Sequence, residues 1–141
     1  MLNLRSFPQG KKNCYTLKPE QGKNSNYLVQ FFFLYGNYDK KNKPPKFNVY
    51  VGVNFVYTFD EIEVDTVALF DVIHVPTSDI IYVCFINTGS GIPFISALEL
   101  SPLNKSLYPS NFGELKDSWR YDLGTTPSED FIRQVSYDFV L

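Results

Sequence analysis

A single histidine, His74, stands among 141 residues, and there is no surplus of positive charge. With one histidine, any Ser/His/Asp arrangement has to be built on His74, with Asp71 and Ser78 as the nearest acid and hydroxyl. Along a strand the odd step from Asp71 to His74 puts their side chains on opposite faces, so no such site is expected and the segment reads as non-catalytic. Thirteen Lys plus Arg against fifteen Asp plus Glu leave a net charge of −2. There is no cationic surplus to bind nucleic acid by counterion release, so nucleic acid is not an expected partner. Long apolar runs are missing too: the stretches at 27–35 and 80–86 fall far short of the roughly 20 residues of a membrane-crossing helix. Residues 1–8 have no apolar signal core behind a basic head, so either the chain is not secreted or its true beginning lies upstream.

Motifs for cofactors and metals are equally sparse. Asp60, Glu61, Glu63 and Asp65 alternate with the β-branched Ile62 and Val64 and lack the glycine turn of a calcium loop, so an edge strand or loop with one charged face is the simpler account. Asn87-Thr88-Gly89-Ser90-Gly91 has neither the lysine nor the following helix of a phosphate cradle. No cofactor is expected.

What the sequence does have is apolar and aromatic material, 44% and 17% of its residues, enough for one ordinary core. The run at 26–35, NYLVQFFFLY, is apolar on both alternating faces and predicts a strand at the centre of a covered sheet. Phe47, Val49, Val51 and Val53 alternate with Asn48, Tyr50 and Gly52 as a half-buried strand does. Further strands are predicted at 69–74, 80–87 and 94–100, separated by Gly, Pro, Ser and Asp turn signals, with 39–46 and 88–93 read as hairpin loops. This pattern, without a helical stripe, predicts an all-β sandwich or barrel. From 101 to 118 the chain turns polar and proline-bearing, and residues 119–141 form a short mixed segment with no evident partner strand.

Both cysteines sit in strand-like runs. Two readings stay open: unpaired small hydrophobes, which is favoured, or a Cys14–Cys84 bridge that would add about 4 kcal/mol by restricting the unfolded chain. Asn104-Lys105-Ser106 is an N-glycosylation sequon. Tyr35, Tyr38, Tyr50 and Tyr57 fall at strand ends or alternating positions, where most such rings are core. Tyrosine faces beside acceptors such as Asn37 and Asp39 are also how sugars are recognised. The break from strand to loop at Tyr35-Gly36-Asn37-Tyr38-Asp39 is therefore the candidate ligand-binding surface.

Six motifs in order carry a resemblance. They are RSFP (5–8) with KNCYTL (12–17), YGNYD (35–39), PKFNVYVG (45–52), HVP (74–76), VCFINTG (83–89), and PFISALEL (93–100) followed by Pro102-Leu103. Together they resemble the malectin-like extracellular domain of plant receptor-like kinases, especially the leucine-rich-repeat type. The resemblance implies a jelly-roll β-sandwich, incomplete at its N-terminus, at the cell surface. On that reading residues 1–103 are the later part of a first lobe, 104–118 a linker and 119–141 the opening of a second lobe. The animal lectin that names the family is similar in using aromatics at the end of the strand matching 31–35, for which Tyr35 and Tyr38 could stand. It also uses an acid before its last strand, which has no counterpart in Gly89-Ser90-Gly91-Ile92. The implied role is ligand sensing, for a carbohydrate or a secreted peptide, with a co-receptor or homologous receptor as further partner. The alternative is a truncated product acting as an interaction fragment through an open sheet edge.

Overall fold

The structure is a computed structural model that describes residues 3–60 and 63–104, and the backbones of two short strands beyond them. Its elements are β1 (Arg5–Ser6), β2 (Lys12–Leu17), β3 (Asn26–Leu34), β4 (Lys46–Val51), β5 (Asn54–Phe59), β6 (Val67–His74), β7 (Ile81–Ser90), β8 (Phe94–Ile95), β9 (Ala97–Leu103), β10 (Leu115–Asp117) and β11 (Tyr137–Phe139). No helix occurs among the described residues. A five-stranded sheet ordered β10-β6-β3-β9-β11 faces a four-stranded sheet ordered β2-β7-β4-β5, and β1 pairs with β8 beside them. Every pairing is antiparallel, which makes the fold an all-β sandwich.

The core forms because each strand turns one apolar row inward. Tyr27, Val29, Phe31, Phe33 and Tyr35 from β3 and its end meet Phe47, Val49, Val51, Val83 and Phe85 from the other sheet, all essentially without solvent contact. Phe33 is the hub, with ring centroids 4.0 Å from Phe59, 5.8 Å from Phe47 and 5.7 Å from Phe94. Such aromatic pairs contribute about 0.5–1.5 kcal/mol each beyond their area burial. The opposite face of β3 is partly covered as well: Leu28 packs with Ile73 and Leu103 in a second cluster. Double burial explains why 27–29 are apolar on both faces, whereas from Gln30 onward outward residues are only half covered.

Among these strands only β4 and β5 are both consecutive and hydrogen-bonded neighbours. The hairpin loops expected at 39–46 and 88–93 are therefore not hairpins: Lys46 begins β4 and 88–90 belong to β7, residues 39–45 cross between the two sheets, and 91–93 lead to β8, which pairs with β1. Turn residues mark a reversal but not the strand to which the chain returns. Val53 is likewise outside its expected strand, 92% exposed in the two-residue β4–β5 turn. A positive φ of 62° at Gly52 permits that turn, and a Cβ there would lie 3.2 Å from the His74 ring. The expected strand over 94–100 is broken at Ser96, whose N–H bonds Phe32 O and whose Oγ accepts from Leu34 N.

Cys14 and Cys84 face each other in the β2–β7 register with Cα atoms 4.0 Å apart, and their sulfurs are bonded. The favoured unpaired reading thus gives way to the bridge, because antiparallel pairing puts opposite residues within disulfide reach. The bridge ties an edge strand to a central one across 70 residues. The linker expected at 104–118 and the second-lobe opening at 119–141 lie outside the described residues, apart from Asn104 and the two short strands. β10 pairs with β6, and β11, from the segment expected to lack a partner, pairs with β9.

Candidate ligand-binding loops

The strand-to-loop break at Tyr35 is organised by that residue's own burial. Tyr35 is 0% exposed, and its hydroxyl donates to Asp39 Oδ1 at 2.6 Å, with Asn37 Oδ1 a longer acceptor at 3.3 Å. Asn37 accepts from Asn42 N at 2.8 Å and donates through Nδ2 to Asn42 Oδ1 at 2.6 Å. Asp39 Oδ1 also accepts from Lys41 N at 3.3 Å. These bonds hold Asn37, Lys40 and Asn42 at φ of 54°, 58° and 50°. Asparagine tolerates that left-handed geometry, whereas at Lys40 it costs about 1 kcal/mol or more and persists because the surrounding bonds enforce it.

Tyr38 is half-buried and points across to another loop, donating to Ile92 O at 2.6 Å. Its ring lies 5.6 Å from Tyr35 and 5.3 Å from Phe94, which fixes the tyrosine pair against the core. Gly91, at φ 104°, lets this second loop close on the first: a Cβ there would stand 2.7 Å from Pro45 Cβ. The β5–β6 loop joins them through Asp65 N, which donates to Tyr35 O at 3.1 Å. Three loops thus meet at one end of the sandwich around the tyrosine pair.

Burial raises the pKa of Tyr35, and Asp39 raises it further as hydrogen-bond partner and charge. Burial likewise raises Tyr38, followed by the charges of Asp39 and Tyr35. Both phenols are therefore neutral donors at physiological pH. Asp39 Oδ2 is the exception to this saturation, a buried carboxylate oxygen with no hydrogen-bond partner.

The sequence brought Tyr35, Asn37, Tyr38 and Asp39 forward as a group, and the structure does gather them. It gives them unequal parts: Tyr35 is an internal strut, while Asn37, Tyr38 and Asp39 are partly accessible. Ile92, Gly91, Pro45 and Asp65 went unnoticed as members. Their contributions are a carbonyl, a missing Cβ, a ring and an N–H, for which Gly91 and Pro45 were the sole hint. The remaining sequence candidates are dispersed. Asp71 accepts from Gln30 on the outer face of β6, His74 is buried opposite Tyr27, and the Ser78 hydroxyl turns back to Ile80 O. Among the described residues no group of three or more His, Cys, Asp and Glu could hold a metal ion, and no helix is long and apolar enough to cross a membrane.

An antiparallel sandwich that gathers loops at one end, with their polar groups used for positioning, is the class of all-β domain the chain forms. The chain belongs to the malectin-like domain family, which it matches over residues 1–138. It is similar to a leucine-rich repeat receptor-like protein kinase of Arabidopsis thaliana, 41% identical over 125 residues, covering 86% of this chain and 14% of the relative. A leucine-rich repeat receptor-like serine/threonine-protein kinase of the same plant is 44% identical over 123 residues, covering 86% and 14%. A third Arabidopsis receptor-like protein kinase is 42% identical over 120 residues, covering 85% and 13%. No solved structure matches the chain. The chain spans about 14% of the length of the relatives it matches, a share that excludes their kinase domain. The malectin-like domain is the non-catalytic, extracellular part of such receptors.

Proposed function

We propose that the chain is an extracellular ligand-sensing module of a receptor-like kinase, taking a carbohydrate or secreted peptide at the loop end around residues 35–39 and 89–93. The observation that carries this reading is the meeting of three loops around the Tyr35–Tyr38 pair at one end of the sandwich, with Asn37, Tyr38 and Asp39 partly accessible. Tyr38 supplies an adjoining half-buried ring, Asn37 a further amide, and Tyr35 holds the others in place. The exposed Lys40, Lys41 and Lys43 serve as a solubilising rim.

The Cys14–Cys84 bridge supports an oxidising, secretory location. So does the sequon at Asn104, an exposed residue at the end of β9; glycosidase treatment of protein from plant tissue should shift its mobility. The functional test is a glycan and peptide array followed by calorimetry. A ligand that binds the chain should lose at least about tenfold in affinity with Tyr38→Ala or Asp39→Ala. Binding unchanged by both substitutions would remove this loop from the site.

A further inference from the structure

The two residues of the Cys14–Cys84 bridge stand in unlike surroundings. Cys84 lies on the central strand β7 and is 1% exposed, whereas Cys14, directly opposite on the edge strand β2, is exposed. Alternation explains the difference: Asn13, Tyr15 and Leu17 turn toward the core, while Lys12, Cys14 and Thr16 turn outward. The bridge therefore lies on the outer face of the four-stranded sheet, with one of its two residues open to solvent. Disulfides exchange by attack of a thiolate on an accessible sulfur, and exposed ones are the labile members of the class. No residue of β2, β7 or β4 is acidic, and Lys12 shares the outward row with Cys14, so an approaching thiolate meets no like charge from these strands.

What the bridge holds in place is small. Among the described strands β2 pairs with β7 alone, and it gives the core Leu17 and a partly buried Tyr15. The chain before it adds Phe7, which stacks on Phe85 at 5.1 Å and donates its N–H to Pro93 O, and Lys11 O accepts from Asn87 N. By contrast β3 alone buries Tyr27, Val29, Phe31 and Phe33 in the same cluster. Local opening costs least where few apolar contacts are given up, so residues 5–17 form the unit that can open without the rest. The covalent link to β7 is what keeps it closed.

We infer that Cys14 is a thiol-exchange site and the bridge a redox latch, which an external dithiol opens to release residues 5–17 from an otherwise folded sandwich. One thiolate of the dithiol attacks Cys14 Sγ. The bond between the two protein sulfurs breaks, its electron pair leaves on Cys84 Sγ, and that thiolate takes a proton from water. The second thiolate then attacks the reductant's own sulfur in the mixed disulfide, so Cys14 leaves as a thiolate and is protonated in turn. The dithiol ends as a disulfide and the protein gains two electrons and two protons. A monothiol such as glutathione stops at the mixed disulfide, a modification of Cys14. Opening also removes the Phe7 donor from Pro93 O, next to the Ile92 carbonyl that accepts from Tyr38. The latch does not depend on what binds at the loop end.

Dithiothreitol added to the native oxidised chain, with mass-spectrometric counting of alkylated cysteines and hydrogen exchange on the products, tests this. The rate of reduction should be first order in dithiol and change by less than about twofold between water and about 1 M urea, because no global unfolding is required. Reduction should speed amide exchange at least about tenfold along Lys12–Leu17, while Asn26–Leu34 and Lys46–Val51 keep their protection. A mixture of glutathione and its disulfide should place the mixed disulfide on Cys14. The chain with Cys14→Ser and Cys84→Ser should exchange along Lys12–Leu17 as the reduced chain does and be indifferent to dithiol. A reduction rate that climbs with urea as global unfolding does overturns the inference, and it holds whether or not the reduced chain stays folded. A mixed disulfide on Cys84, or loss of protection in β3 and β4 on reduction, overturns it too.

Discussion

The two edges of the four-stranded sheet meet the same physical problem, exposed backbone groups, in opposite ways. β2 is flanked by lysines and bonded covalently to its neighbour, whereas β5 carries no charged residue and is the last strand of its sheet among the described residues. The loop end differs from both. Tyr35, Asn37, Asp39 and Tyr38 spend nearly all their hydrogen-bonding capacity on one another and on Asn42, Lys41 and Ile92. Chemically conspicuous residues are thus largely self-satisfied. Local composition and local availability are separate properties.

The sharpest way to break the contrast is to make β2 resemble β5. Replacing Cys14 and Cys84 together by serine should lower stability by about 4 kcal/mol on the chain-entropy model, read from urea unfolding of oxidised wild type and variant. Amide exchange along Lys12–Leu17 should rise most. A loss below about 1 kcal/mol would mean that the six-residue ladder alone holds the edge. Next in size is Tyr35→Phe, which deletes the donor to Asp39 and leaves its carboxylate short of partners in a buried setting. Stability should fall by about 1–3 kcal/mol, with faster exchange confined to residues 36–43.

Alkaline pH probes the same tyrosines. Folding raises the pKa of Tyr35 and Tyr38 above the ordinary 10.0, so the protons are held more tightly folded than unfolded. Their contribution is whole below about pH 10 and is lost as pH rises through the folded values. The urea midpoint should therefore drop between pH 9 and pH 11, and by less in Tyr38→Phe than in wild type. The smallest effect belongs to the Lys46–Asp60 pair, 3.1 Å apart with side chains 51% and 40% exposed. Screening and side-chain entropy leave such a pair within about 0.5 kcal/mol, so Lys46→Ala should barely move the midpoint.

Much of this fold was legible because β periodicity follows directly from which side chains need covering. The centre of the sandwich could be read at 26–34, since a strand apolar on both faces has no other place to go, and Phe47, Val49 and Val51 turned inward as their alternation required. Connectivity was not legible: residues 39–45 and 91–93 have the turn formers of hairpins, but the partner of each strand is decided by contacts distant in sequence. The Cys14–Cys84 bond was hidden for the same reason, because its register comes from β2 and β7 as a pair. At the candidate site, side-chain chemistry pointed to Tyr35, Asn37, Tyr38 and Asp39. Their roles depend on the Ile92 carbonyl and the Gly91–Pro45 contact, where backbone rather than side chains does the positioning.

The central claim, that the loop end receives the ligand, is tested most directly by titrating an array-selected oligosaccharide or peptide into the 15N-labelled chain and following its amide resonances. The account predicts saturable shifts centred on residues 36–43 and 89–93, abolished by Asp39→Ala while the rest of the spectrum stays in place. Saturable shifts confined to other strands, with those two loops unmoved, would contradict it.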